Sequence, residues 1–148
     1  MKEIAYADIA KHVGQEIGVS DWVTVDQQRV NTFADATGDH QWIHVDVERA
    51  TREMGGPIAH GYLTLSLIPY LGAQILHVTG VTRGINYGSD KVRFTNMVRV
   101  GKRVRMRQKL LSAEPKAGGL QMRNECTIEI EGEERPACVA ETISIIYG

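Results

Sequence analysis

The densest reactive chemistry in the chain lies in ATGDHQWIH, residues 36–44. One carboxylate, two imidazoles, an amide and an indole follow directly on a run with helical spacing. Asp39 and His44 sit close enough along the chain to aim at one small volume from a short loop. A carboxylate there can accept a proton from water or orient the imidazole, and an imidazole near neutral pH can give or take a proton. Residue chemistry alone leaves three readings open. Asp39 after Gly38 fits a turn that satisfies its own backbone, with His44 a buried, hydrogen-bonded histidine. The two also fit an acid/base pair. Asp39, His40 and His44 fit a metal site less well, because catalytic zinc takes three protein ligands and no further His or Cys lies nearby.

The elements that must position these groups divide into two halves. An opening strand is expected around Glu16 to Val25. Asp26 then suits an N-cap, and Val30, Phe33 and Ala34 fall at helical spacing before Gly38 ends the element. A short helix over DVERATREMG finishes at Gly55–Gly56. Pro57 lies where a helix can begin, since a first-turn residue needs no amide hydrogen. One long apolar helix is expected over residues 58–76, IAHGYLTLSLIPYLGAQIL. From Gly84 onward the period is two. KVRFTNMVRV, RVRMRQKL, LQMRNECTIEIEG and ACVAETISIIYG read as strands, separated by hairpin loops at PKAGG and EGEERP. A sheet with one dry face must cover it, and only the helix of residues 58–76 is apolar enough. The expected class is α+β, with an antiparallel sheet wrapped around a long central helix.

The totals narrow the function. The 148 residues suit a single domain over 1–148, and the formal net charge of −1 gives no bulk attraction to nucleic acid or anionic lipid. Cys126 and Cys138 have no metal or disulfide spacing, which favours a reducing cytoplasm. The N-terminal segment lacks the continuous apolar core of a signal peptide. Residues 58–76 approach the length of a membrane span. His60, Gly61, Thr64, Ser66, Pro69, Gly72 and Gln74 interrupt them, however, and no basic cluster flanks them, so a buried core helix is expected.

FADATGDHQWIHVDVERA resembles the Gly-Asp-x-Asn-Pro-aliphatic-His element of the MaoC-like, or hydratase 2, family of (R)-specific enoyl-thioester hydratases. GGPIAHG is similar to the family's Pro-Ile-x-His-Gly element, and INYGSDKVRF to its first long strand after the central helix. The resemblance spans roughly residues 22–101. Gln41 stands where the family has Asn, Trp42 where it has Pro, and Met97 where a strand proline is common. The Gly-Asp-His-Gln-Trp-Ile-His form resembles the branch that includes nodulation protein N-like dehydratases.

That resemblance implies a hot-dog fold, a homodimer, and reversible addition of water to a trans-2-enoyl thioester to give the (R)-3-hydroxyacyl thioester. It implies Asp39 and His44 as the catalytic dyad, with Gln41 supporting the loop or binding substrate. It also implies the amide of Gly61 as the donor to the thioester oxygen. A first-turn amide lacks an internal partner and suits that work, although a glycine there also permits tight helix packing. Trp42 can fill a pocket wall or pack in the core. His60 is read as structural, bonding backbone near the helix start, and Tyr62 and Ser66 as lining for an acyl pocket. The face formed by Arg103, Arg105, Arg107 and Lys109 is read as solvated, with a grip on coenzyme A phosphates as its alternative. The expected partner is an acyl thioester on coenzyme A or acyl carrier protein, with no cofactor, metal, nucleic acid or membrane. A hot-dog acyl-CoA thioesterase and a non-catalytic acyl-thioester binding module are the competing functions.

Overall fold

Alternation builds most of this molecule. In the computed structural model, which describes all 148 residues, strand β6 (Arg103–Lys116) turns Val104, Met106, Gln108 and Leu110 inward. The arginines at 103, 105 and 107 point outward, as the period of two requires. Strand β7 (Gly119–Ile130) answers with Met122, Asn124, Cys126, Ile128 and Ile130, and β8 (Cys138–Tyr147) with Cys138, Ala140, Ile143 and Ile145. These strands pair antiparallel. Strand β5 (Arg83–Phe94) adds to β8, and the short β2 (Glu16–Val19) and β3 (Val23–Thr24) both pair with β6. The order is β2-β6-β7-β8-β5.

The helical half covers this sheet. Helices α1 (Gln27–Thr37), α2 (Trp42–Val45) and α3 (Val47–Met54) precede α4 (Gly61–Ser66) and α5 (Ile68–Ile75). Leu63, Leu67, Ile68, Leu71 and Ile75 all point into the core, where they join the inner residues of β6, β7 and β8 in one cluster of 22 buried residues. Successive spacings of four, one, three and four keep these side chains on one helical stripe. A buried pair, Gln108 and Asn124, is satisfied internally at 3.1 Å, as a polar group in a dry core must be. No helix is long and apolar enough to cross a membrane.

Several expected boundaries move. The single helix over residues 58–76 is two helices broken at Leu67, because Pro69 has no amide to continue the ladder and sits in the first turn of α5 instead. The helix also starts at Gly61 rather than at Pro57, since Ile58 is held in a bridge to Arg99. The strand expected through residue 100 leaves the sheet after Phe94. The opening strand splits in two, with the Ser20 hydroxyl accepting the Met106 amide between the halves. PKAGG tightens to a two-residue turn at Ala117 and Gly118, both at positive φ, the hairpin that matches strand twist. A strand at Lys2–Ala5 (β1) pairs parallel with Leu76–Thr79 (β4), which local pattern did not foretell.

Both cysteines are free and buried, and burial pushes each thiol up to about 11, so neither is a ready nucleophile. The arginine face is neutralised from within. Arg103 pairs with Glu131, Arg105 with Glu129, and Arg107 with both Glu129 and Glu16. Arg103 and Arg105 also lie over the ring of Trp22.

Candidate active site

A helix capped at both ends aims the reactive loop. Asp26 accepts the Arg29 amide at 2.8 Å, which starts α1 as its sequence suggests. Gly38 ends α1 at a φ of 84°, a left-handed conformation that costs glycine nothing. The chain then doubles back. Asp39 Oδ1 accepts the Gln41 amide at 3.3 Å, and the Gln41 carbonyl accepts the His44 amide at 3.0 Å. Gln27 spans the gap from α1, its Nε2 donating to the His44 carbonyl at 2.8 Å.

His44 is buried, 6% exposed. Its Nδ1 lies 2.7 Å from the carbonyl oxygen of Ile58, which can only accept, so Nδ1 carries the proton. Nε2 is therefore the bare nitrogen; it has no protein partner and is not sealed from solvent. Desolvation is the main cause holding the His44 pKa below its ordinary 6.5. The Ile58 hydrogen bond opposes it, His60 adds to the lowering, and Asp39 opposes more weakly. The imidazole is thus neutral at pH 7, with a lone pair available to a proton.

The structure brings Asp39 and His44 together with a third group. One donor atom each from Asp39, His44 and His60 lies within 4.8 Å of the others. His40, the third residue of the disfavoured metal reading, instead turns to Asp35 at 2.9 Å on the surface, a contact that raises its pKa. The rings of His44 and His60 stack, with centroids 3.8 Å apart and planes 23° apart. Stacked imidazoles send their lone pairs side by side, whereas an ion about 2.1 Å from each nitrogen needs them to converge. The geometry suits proton transfer better than a metal cage.

A cleft of about 520 Å³ opens beside His44, within the usual range for a small-molecule site. Gly61, Thr64, Ile58 and the segment 94–98 line it, with Arg135 among them. Gly61 is the first residue of α4, and no backbone carbonyl accepts from its N–H. A Cβ at Gly61 would meet the Phe94 ring at 3.2 Å, so the missing side chain keeps that wall open. Asp39 and the Gln41 side chain are exposed and lie outside this lining.

Other expected roles shift. Tyr62 is 70% exposed and packs edge-on against Phe94, and the Ser66 hydroxyl returns to the Tyr62 carbonyl. Neither lines the cleft; Thr64 does, three residues from Gly61 and so on the same helical face. Trp42 is capped by the Arg49 guanidinium 4.0 Å above its ring and lies away from the cleft. His60 does bond backbone, but its ring reaches the Asp39 carbonyl, far along the chain, rather than the helix start. Arg99 was also missed. Its guanidinium donates to the carbonyls of Met54 and Gly56 at 2.6 and 2.9 Å, anchoring the loop that leads to Ile58. Helical spacing could have revealed Thr64, but nothing local marks Arg99 or Gln27.

The chain is 52% identical to 3-hydroxyacyl-thioester dehydratase Z of Mycobacterium tuberculosis, over 93% of this chain and 92% of that protein. It is 46% identical to nodulation protein N of Rhizobium leguminosarum bv. viciae, over 99% and 93% of the two chains. Its fold is similar to that of the unliganded R-hydratase PhaJ1 from Pseudomonas aeruginosa, with a TM-score of 0.77 at 23% identity, covering 97% of this chain and 86% of that one. The likeness assigns the sheet and its helices to the hot-dog fold. With residues 8–128 matching the MaoC like domain, the chain belongs to the MaoC-like dehydratase family.

Proposed function

We propose that the chain catalyses the reversible hydration of trans-2-enoyl thioesters to (R)-3-hydroxyacyl thioesters, and the reverse dehydration. The observation that carries this reading is the His44 imidazole. It is held with its proton on Nδ1 and its Nε2 open to solvent, within reach of the Asp39 carboxylate. In the hydration direction Asp39 and His44 hold one water between them. His44 Nε2 takes a proton as the oxygen attacks C3, the C2–C3 double bond shifts its electrons toward the thioester carbonyl, and the proton held by His44 then passes to C2, which returns the imidazole to its neutral form. The open amide of Gly61 faces the charge that builds on the thioester oxygen, where a fixed donor is most effective. Gln41, exposed beside the dyad, contacts substrate at the rim.

The family and the named dehydratase relative support lyase chemistry within fatty acid metabolism, with the acyl group delivered on coenzyme A or acyl carrier protein. Residues 1–148 act as one catalytic domain. The reading includes a cytoplasmic setting, in keeping with two free buried thiols, and a homodimer joined along β5.

The test is loss of the conjugated-thioester absorbance on mixing the protein with crotonyl-CoA and longer enoyl-CoA substrates, with chiral analysis of the product. Asp39→Asn and His44→Ala should each lower kcat by about 10²- to 10⁴-fold while the variants stay folded. Thiol release from saturated acyl-CoA, without hydration, would instead establish a thioesterase. Tight acyl-CoA binding with no turnover would establish a binding module.

A further inference from the structure

We infer that His60 is a positioning residue for the Asp39–His44 pair, tying the Asp39 backbone to one edge of its ring while its face backs the His44 imidazole. This inference rests on the proposed function and adds a second histidine to its dyad as a third part.

The His60 backbone is fixed first. It is the N-cap of α4, and its carbonyl accepts the amides of Leu63 and Thr64 at 3.1 and 3.2 Å. The ring is only 2% exposed and lies between two others, His44 at 3.8 Å and Phe33 at 4.9 Å between centroids. Its Nε2 lies 3.0 Å from the carbonyl oxygen of Asp39, which can only accept, so Nε2 bears the proton. The exposed Asp39 loop is thereby tied to the buried start of α4, one residue before the Gly61 amide. Asp39 has no comparable side-chain anchor, since its carboxylate accepts only the local Gln41 amide.

The other ring nitrogen explains why the residue is histidine. Nδ1 is buried with no hydrogen-bond partner, and a bare buried polar atom is destabilising. Phenylalanine would keep the stack without that cost and lose the tether. Glutamine could keep a donor and lose the flat ring. Histidine supplies a donor and a face together, and the unpaired nitrogen is what remains. A chain selected for packing alone has no use for it.

The test uses the full chain and crotonyl-CoA. His60→Phe retains the ring and removes the donor, and His60→Gln does the reverse. Each should lower kcat by about 10- to 100-fold, the scale of small misplacements of a reacting group, with KM changed less than about 3-fold. In an Asp39→Asn background, where there is no carboxylate left to position, His60→Phe should have little further effect; a purely structural role would multiply the losses. In the wild-type protein, nitrogen-15 imidazole shifts should place the His60 proton on Nε2. Retention of kcat within about 2-fold in both variants, fully multiplicative losses, or a wild-type proton on Nδ1 overturns the inference. A wild-type proton on Nδ1 overturns it even if neither variant folds. Asp39→Asn and His44→Ala variants with unchanged hydration would sink the proposed function, and this inference with it. Loss of activity in those two with none in the His60 variants would sink the inference alone.

Discussion

His44 carries a cost that its chemistry explains. Burial makes the imidazolium expensive, and the Ile58 carbonyl satisfies one nitrogen only. The folded pKa lies below the ordinary 6.5, so between those two values the unfolded chain binds a proton that the native chain refuses. The unfolded state binds more protons there, so native stability rises with pH across that window and falls as pH drops below about 6.5. Denaturant melts at pH 7.5 and pH 5.5 should therefore show wild type losing more stability on acidification than His44→Gln, which has no such group. Equal losses in both would mean that His44 titrates normally. The same shift keeps the lone pair available for catalysis in mild acid. Much of this site was legible at the residue level, because Gly38, Asp39 and His44 advertise a sharp turn with titratable groups. The stacked partner was not. His60 meets Asp39 across 21 residues and a helix start, a contact that no local pattern encodes.

Two glycines at the level of elements look alike in sequence and differ in the fold. A Cβ at Gly61 would crowd the Phe94 ring at 3.2 Å, while one at Gly72 would touch Gln108 Oε1 at 3.6 Å and Met106 Cε at 3.7 Å, ordinary contact distances. Gly72 lies inside α5, where glycine costs roughly 1 kcal/mol relative to alanine. Gly72→Ala should therefore stabilise the protein by up to about 1 kcal/mol, seen as a higher Tm with hydration unchanged. A lower Tm would mean that the Gln108–Asn124 pair behind it cannot yield. The strands were readable because their inward positions alternate without a break from Val104 to Leu110. The broken helix was misread although Pro69 stood in plain view. Both halves are apolar on the same stripe, so periodicity carried across a join that the missing amide forbids. The β1–β4 pair was unreadable, since four-residue strands far apart in sequence have no period to detect.

At the scale of the whole molecule, charge does little to select a partner: the net charge is −1 and the arginine face is matched by Glu16, Glu129 and Glu131. Shape does more. β5 ends the sheet, and every one of its residues except Val92 is exposed. Ile85, Tyr87 and Phe94 are exposed along it among polar and charged neighbours, and a long edge strand offers its unpaired backbone groups to another chain. Phe94 also borders the cleft, so a second copy seated on β5 would reach the mouth of the site. A two-fold contact is isologous, placing the same strand from each copy side by side. Sedimentation should give twice the mass of one chain. Replacing Ile85 and Tyr87 together by aspartate sets like charges against each other across that axis and should shift the protein to one chain mass. Hydration should fall at least about 10-fold in that variant, the scale of loss from slight misplacement of a reacting group. A wild-type protein sedimenting as one chain with full hydration activity would remove the dimer and leave the bare edge unexplained.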